Sequence, residues 1–285
     1  MSPENKHIPL RRILVPLDAS AHSRAALEAA AKLAASMGAE LSGLYVEDAE
    51  LLDLCRYPFA REVGLMPART RQLESADLER DFRIQAEQIR RMLAMLADAS
   101  DINWSLTVRR GRVLAEILDQ AASADLTVLG RVGRKLSSAS MGSTVRHLIE
   151  QSRGMTLILQ AGFQLVSPVL TVYDGSEQSL RAVSIAISLA RAAGGNMEIL
   201  IPAQTEEEFS RLRDELLTAA EISPQTQGMK LRFRRIRTEV APALVTVLRA
   251  EYRQPVVLPV DTIDGEAAAI QRLINRIDNP VLLVR

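Results

Sequence analysis

The sequence has little of what marks a disulfide-rich, membrane-spanning or nucleic-acid-binding chain. One cysteine, Cys55, among 285 residues excludes an internal disulfide framework and a cysteine-based zinc site. No apolar run approaches the roughly 20 residues that span a bilayer, and no apolar signal region precedes the first predicted strand. Lys and Arg total 35, as do Asp and Glu, so nothing attracts nucleic acid electrostatically. We expect a cytoplasmic protein without a membrane span or a nucleic-acid partner.

The motifs of several enzyme classes are also missing. The sequence contains no Walker A loop, no H-E-x-x-H and no G-x-S-x-G. Its histidines, His7, His22 and His147, lack the spacing of metal ligands. Cys55 has no histidine near it in sequence and is interpreted as a small packing residue. We therefore predict no catalytic residue and no metal ligand.

The strongest pattern that is present is an internal repeat. A shift of 156 residues aligns the start of one copy with the other, and a shift of 125 aligns their ends. The first shift matches these pairs: Leu14 and Leu170, Asp18 and Asp174, Ser20 and Ser176, Gly38 and Gly194, Leu44 and Leu200. Because the period far exceeds that of solenoid repeats, it indicates a duplicated domain. The predicted domains are 1–161 and 167–285, joined by a linker at Gly162–Ser167.

Each copy alternates short apolar strands with helices. Ile13–Leu17 and Leu126–Leu129 are typical of the strands, and Leu73–Ala97 is typical of an amphipathic helix. This alternation predicts an α/β fold with two doubly wound, five-stranded parallel sheets, related by a pseudo-twofold axis. Such sheets bind ligands beyond the carboxyl ends of their strands, where the strand order reverses. Asp18, Glu47-Asp48 and Gly130 lie at those ends.

The segment from Gly130 to Thr144 leaves a strand, contains glycines, and enters a helix at Gly142-Ser143-Thr144. Glycine lets a backbone approach a ligand closely, and the N-terminus of a helix offers free N–H groups to a phosphate. Arg131, Arg134 and Lys135 add positive charge. The pattern fits either a phosphate site or a Gly/Ser-rich surface loop before a capped helix.

These segments together resemble the universal stress protein family. The likeness is carried by Ile13–Ser20, Val46, Gly111 and Asp125–Gly130. The nucleotide loop of the family, G-x2-G-x9-G-[S/T], is matched by Gly130, Gly133, Gly142 and Ser143, with eight residues instead of nine before Gly142. The resemblance spans Arg12–Gln160 and, more weakly, Ser167–Arg285. It is a resemblance to tandem members, with a Rossmann-like, adenine nucleotide α-hydrolase-like fold.

The resemblance implies that ATP, with or without Mg²⁺, binds across the strand ends of the first copy. Asp18 and the backbone of Val46 would hold the adenosine end, and Gly130 the ribose. Gly133, Gly142, Ser143 and Thr144 would hold the phosphates. The complete set of implied binding residues is Pro16, Leu17, Asp18, Val46, Gly111, Leu129, Gly130, Gly133, Gly142, Ser143 and Thr144.

The function implied by the resemblance is regulation of a stress response through a protein partner or oligomeric state. The two domains would pair as a pseudo-dimer, and a homodimer of whole chains is a further form. Two alternatives remain open: a scaffold that binds no nucleotide, and a weak ATP hydrolase.

The second copy departs from the nucleotide-binding pattern. It retains Asp174-Gly175-Ser176, but Asp261–Glu266 follows its fourth strand, without the glycine pair and with three acidic residues. Like charge and missing N–H donors oppose a phosphate there. We therefore predict a degenerate domain that binds no ATP. The second copy also lacks a counterpart of Glu47–Gln72, which is predicted as a long connection with few periodic signals. A lid, a partner-binding segment and a flexible connection all remain open for it.

Overall fold

The computed structural model describes residues 10–18, 20–57, 61–63, 70–72, 74–131, 143–160, 165–219, 222, 226–237, 240–251, 253–263 and 266–285. We call the part through residue 160 the first half and the part from residue 165 the second half. The elements of the first half are β1 (Arg12–Leu17), α1 (Ala21–Met37), β2 (Glu40–Asp48), α2 (Ala49–Leu54), β3 (Arg61–Val63), β4 (Thr70–Gln72), α3 (Ser75–Ser100), β5 (Trp104–Gly111), α4 (Val113–Ala121), β6 (Leu126–Arg131), α5 (Ser143–Gln151) and β7 (Met155–Gln160).

The second half repeats the alternation of strands and helices without an insertion after its second strand. Its elements are β8 (Val169–Val172), α6 (Glu177–Ala192), β9 (Asn196–Pro202), α7 (Glu206–Thr218), β10 (Lys230–Ile236), α8 (Val240–Ala250), β11 (Val256–Pro259), a 3₁₀ turn (Asp261–Ile263), α9 (Ala267–Arg276) and β12 (Val281–Val284).

The two halves have the same strand order. Within the described residues, the main sheet runs β10-β9-β8-β11-β12-β7-β6-β1-β2-β5. In the first half β1 lies at the centre, with β2 and β5 on one side and β6 and β7 on the other. In the second half β8 lies at the centre, with β9 and β10 on one side and β11 and β12 on the other. Within the main sheet, all described pairs inside a half are parallel. The predicted doubly wound α/β fold is confirmed.

The prediction of two separate sheets, however, is wrong. The final strands of the halves, β7 and β12, pair antiparallel and join both into one ten-stranded sheet. Leu157 faces Leu282, and these two residues are equivalent under the 125-residue shift, so the pairing is symmetric about them. Unpaired, each final strand would leave a row of backbone N–H and C=O groups at a sheet edge, and the pairing satisfies both rows at once.

Helices cover both faces of this sheet. Neighbouring strand residues such as Ile13 and Leu14 point to opposite faces and belong to different buried clusters. One cluster packs under α1, α3, α6 and α7, and the other under α4, α5, α8 and α9. Both clusters include residues of each half, so the core continues across the β7–β12 junction. Over the part of the chain described, no helix is both long and apolar enough to cross a bilayer.

The segment after β2 contains more structure than the sequence predicts. Asp48 ends β2 and also caps α2, because its side chain accepts a hydrogen bond from the N–H of Glu50. Beyond α2, β3 and β4 pair as a separate antiparallel ladder. The sequence predicts a long connection with few periodic signals and does not identify α2, since a helix of only six residues shows too little periodicity to be recognised. Cys55 follows α2, and its Sγ lies 3.5 Å from the carbonyl of Leu51.

Candidate functional site

A cavity of about 360 Å³ opens at the carboxyl ends of β1, β2 and β6. The strand order of the first half reverses between β1 and β6, the position where open α/β sheets bind ligands. The cavity is lined by Pro16, Leu17, Asp18, Ser20, His22, Ser23, Leu44, Val46, Val113, Ile117, Leu129, Gly130 and Val145. Its volume and its mainly apolar wall with a few polar groups are typical of small-molecule sites.

The polar side of the cavity is the turn from β1 into α1. Ser20 is the N-cap of α1 and accepts a hydrogen bond from the N–H of Ser23 at 3.2 Å. The N–H of Ser20 donates to Oδ1 of Asp18 at 3.0 Å, and the N–H of Asp18 donates to the hydroxyl of Ser23 at 3.3 Å. This network fixes the backbone around Asp18. The carboxylate is exposed, and no described residue donates to its second oxygen, Oδ2.

Gly130, at the end of β6, is required by the close approach of α1. A Cβ at this position would lie 2.4 Å from the carbonyl oxygen of His22 and 2.9 Å from its carbonyl carbon. Those atoms are backbone and cannot rotate away, so only glycine fits without a shift of the chain. The first turn of α1 therefore lies directly against the exit of β6, and both border the cavity.

The apolar wall comes from β2 and from the helices on one face of the sheet. Val113 and Ile117 lie on the same face of α4, four residues apart, and Val145 comes from the first turn of α5. Leu44 and Val46 line the cavity from β2. These side chains form a surface suited to a flat apolar group such as a heteroaromatic base.

Six of the predicted site residues meet in this cavity: Pro16, Leu17, Asp18, Val46, Leu129 and Gly130. Gly111 ends β5 and is not among the described lining residues; a Cβ there would meet the side chain of Glu116 at 2.5 Å. Ser143 and Thr144 begin α5 and immediately precede the lining residue Val145. Gly133 and Gly142 lie outside the described residues.

Sequence reasoning missed the contributions of α1, α4 and α5 to the lining. The sequence analysis includes Ser20 in the family motif but not among the binding residues, and it considers His22 only as a possible metal ligand. Val113 and Ile117 have the spacing of ordinary core residues, and nothing in that spacing distinguishes a cavity wall from a packed face. His22 could have been found from its position, because it lies in the helical turn that directly follows Asp18.

The second half contains the same turn, but its carboxylate is engaged by its own chain. The N–H of Ser176 donates to Oδ1 of Asp174 at 3.0 Å, and the N–H of Ser179 donates to the Ser176 hydroxyl at 3.1 Å. In addition, the hydroxyl of Thr262, in the 3₁₀ turn, donates to Oδ2 of Asp174 at 2.8 Å. The oxygen to which no described residue donates on Asp18 thus accepts a hydrogen bond on Asp174.

The electrostatic state of Asp174 reflects this contact. Burial raises the pKa of Asp174, but hydrogen bonds from Ser176, Ser179 and Thr262 outweigh burial and leave the pKa below its ordinary value. The carboxylate therefore stays charged, with its lone pairs used inside the protein.

The backbone after the fourth strand is also held differently in the second half. The strand registers pair Leu14 with Thr127 and Leu170 with Val256, which puts Pro259 in the position of Gly130. The N–H of Asp261 donates to Oε1 of Gln178 at 2.8 Å. Under the 156-residue shift Gln178 is equivalent to His22. A side chain at this position of the helix can therefore reach the backbone just beyond the fourth strand.

The described residues offer little to a metal ion. Among them, no group of three or more His, Cys, Asp and Glu side chains lies close enough to hold one. Among the described lining residues, Asp18 is the one carboxylate. A bound Mg²⁺ would have to take most of its oxygen ligands from a phosphorylated ligand and from water, which is common for this ion.

Comparison with known proteins finds one matching family model and solved structures with a similar fold. The model of the universal stress protein family matches residues 9–160. In structure, the chain is similar to a universal stress protein from Archaeoglobus fulgidus DSM 4304, with 17% identity over 95% of this chain and 97% of the other, and a TM-score of 0.70. It is also similar to a putative universal stress protein from Pseudomonas aeruginosa UCBPP-PA14, with 14% identity over 96% and 92% and a TM-score of 0.58.

At such low identity these structures show the fold alone. No curated protein is similar enough in sequence to count as a match.

Proposed function

Because the chain belongs to the universal stress protein family, we propose that its first half binds ATP in the cavity at the ends of β1, β2 and β6, and that its second half binds none. The observation that carries this proposal is the contrast between two equivalent carboxylates. Asp18 lines the cavity and no described residue donates to its Oδ2, whereas Oδ2 of Asp174 accepts a hydrogen bond from the hydroxyl of Thr262.

The described lining suits the nucleoside end of such a ligand. The apolar side chains of Val46, Val113 and Ile117 can pack on a base, and Oδ2 of Asp18 can accept a hydrogen bond from an amino or hydroxyl group. The contact of Thr262 with Asp174 supports this role, since it is a hydroxyl on the equivalent oxygen. The phosphates would extend past Gly130 towards the N-terminus of α5, where free N–H groups favour an anion.

The proposal extends to the organisation of the chain. We regard residues 1–161 and 167–285 as duplicated domains paired as a pseudo-dimer, because their strand orders are the same and their final strands pair symmetrically. Nucleotide occupancy would act through a protein partner or through oligomeric state, in the cytoplasm. Binding and not hydrolysis is the activity that we propose.

Titration of adenosine and ATP against two variants tests the assignment. Asp18→Asn keeps an oxygen for the N–H of Ser20 but replaces the acceptor Oδ2 with a donor, so we expect both ligands to lose affinity by similar factors, about tenfold or more. Gly142→Asp, placed in the predicted phosphate loop, should spare adenosine and abolish ATP binding through bulk and like charge.

Equal losses of adenosine and ATP in Gly142→Asp would show that this loop does not hold phosphates. Failure of the wild-type protein to bind either ligand would overturn the proposal and leave the nucleotide-free scaffold. Release of phosphate from ATP during the titration would instead support the weak hydrolase.

A further inference from the structure

The main sheet ends in the second half at β10, which pairs with β9 on one side along its whole length, from Lys230 to Ile236. In the order of the described strands, none follows β10 on its other side. An outer strand of this kind presents a row of backbone N–H and C=O groups that a further strand can bond.

The register with β9 shows which backbone groups those are. The N–H of Lys230 donates to the carbonyl of Gly195 at 2.9 Å, so Lys230 bonds towards β9. Because alternate residues of a parallel strand bond to the same neighbour, Leu231, Phe233 and Arg235 direct their N–H and C=O groups away from β9. These groups form the free edge of β10.

One face of this edge is cationic. Four of the seven residues of β10 are Lys or Arg, and none is acidic. Lys230, Arg232 and Arg234 share the face that α8 covers, because side chains alternate along a strand. Arg234 is engaged by two carboxylates, Glu198 at 2.6 Å and Glu251 at 3.3 Å, whereas Lys230 and Arg232 are exposed.

The opposite face of the edge is mainly apolar. Leu231 and Phe233 are partly buried and pack against the core cluster under α7. Arg235, next on this face, pairs with Glu206 at 3.3 Å. The side chains of an added strand would alternate too, so every second one would lie beside Phe233 and the others beside Arg232. The complementary pattern is an alternation of apolar and acidic residues.

We propose that the free edge of β10 is a docking surface for an extended segment of a partner protein in which acidic and apolar residues alternate. The segment bonds the outward backbone groups of β10 as an additional strand, with its carboxylates beside Lys230 and Arg232 and its apolar side chains beside Leu231 and Phe233. The cavity lies in the first half, so this inference does not depend on the proposed function.

A second copy of the chain fits this edge poorly. Pairing of β10 with another β10 would bring arginines close to arginines, and like charges on facing strands are destabilising. The other outer strand, β5, carries Arg109 and Arg110 and no acidic residue, so it offers no better complement. Charge therefore favours an acidic partner over self-association.

Synthetic peptides of about eight residues, a usual strand length, test this surface. A peptide of alternating Glu and Val should bind at low ionic strength, and one of alternating Lys and Val should not. Binding should slow hydrogen exchange at the N–H groups of Leu231, Phe233 and Arg235, and change it little at Arg232, which already bonds to β9. The Glu–Val peptide with every backbone nitrogen methylated keeps its charge but cannot pair, so it should bind at least about tenfold more weakly.

Arg232→Glu reverses the exposed charge at the middle of β10 and should weaken binding of the Glu–Val peptide about tenfold or more. Arg109→Glu is the matched control, because it reverses an exposed arginine on the other outer strand; it should keep the wild-type affinity. A thermal melt checks that both variants are folded.

The docking surface would be overturned by equal affinities of the Glu–Val and Lys–Val peptides, or by equal affinities of the Arg232→Glu and Arg109→Glu variants for the first. It would also be overturned by absence of Glu–Val binding up to about 1 mM, or by binding that leaves exchange at Leu231, Phe233 and Arg235 unchanged. Slowed exchange at these residues that grows with protein concentration, without peptide, would identify a second copy as the occupant and refute the acidic partner.

Discussion

Replacing Gly130 with alanine should destabilise the protein and distort the cavity together. The added Cβ would lie 2.4 Å from the carbonyl oxygen of His22, closer than the roughly 3.0 Å below which real Cβ contacts essentially never occur. Because the carbonyl belongs to the first turn of α1, either that turn or the end of β6 must move. Overpacking of this kind typically costs about 1–3 kcal/mol of the free energy of unfolding.

Gly154→Ala is the control for this substitution. A Cβ at Gly154 would meet nothing closer than the carbonyl oxygen of Ala124, at 3.4 Å, which is ordinary contact. We expect this variant to lie within about 0.5 kcal/mol of wild type, or to gain a little because alanine restricts the unfolded chain.

Urea denaturation of the three proteins measures the difference, with the midpoint shift read at a common slope. Gly130→Ala should also bind ATP more weakly, since His22 and Gly130 both border the cavity. If Gly130→Ala were as stable as Gly154→Ala, α1 would not approach β6 as closely as described, and the geometric basis for the role of Gly130 would fail.

Two further substitutions test the polar contacts. Thr262→Val removes the hydroxyl that donates to Asp174, so it should cost about 1 kcal/mol at pH 7. Because the fold lowers the pKa of Asp174, that contribution is present above pH of about 4 and is lost as pH falls through the folded pKa. The difference in free energy of unfolding between wild type and variant should therefore be smaller at pH 3 than at pH 7 in denaturation experiments. An equal difference at both pH values would refute the assignment. Tyr45→Phe removes a hydrogen bond of 2.8 Å to Gln85. Burial, and then the charge of Glu47, raise the pKa of Tyr45 to about 12, so the tyrosine ionises at lower pH in the unfolded chain than in the folded protein. The stability of the wild type should therefore decline between pH 10 and 12 more steeply than that of the variant. A parallel decline of the two proteins in urea titrations would contradict this.

Much of the fold could be predicted because it depends on local patterns. The apolar strands gave the α/β class, and Ser20 and Gly38 marked the ends of α1: Ser20 caps its start, and Gly38 adopts a left-handed φ of 65° at its end. The junction of β7 with β12 could not be predicted, because pairing of two edge strands depends on how both halves present their surfaces and not on either strand alone. The six-residue α2 was missed for want of periodicity.

The candidate site also contains residues that the sequence predicts and residues that only the tertiary fold reveals. Asp18 follows β1, and Val46 and Gly130 lie near the ends of β2 and β6, so their place at the sheet's carboxyl edge could be derived from the order of elements. Val113 and Ile117 could not be recognised as a cavity wall, because residues of a wall and of a packed core have the same spacing. The sequence indicated that the second half lacks a phosphate loop. It did not show that Thr262 reaches Asp174 across 88 positions of the chain, since that contact depends on the tertiary fold.

The number of ATP molecules that one chain binds tests the central claim most directly. Native mass spectrometry with calorimetry should give one ATP per chain for the wild type and for Asp174→Asn, and much lower occupancy for Asp18→Asn at an ATP concentration near the wild-type Kd. Two equivalent ATP molecules per wild-type chain, or loss of ATP in Asp174→Asn but not in Asp18→Asn, would contradict the assignment of the site to the first half.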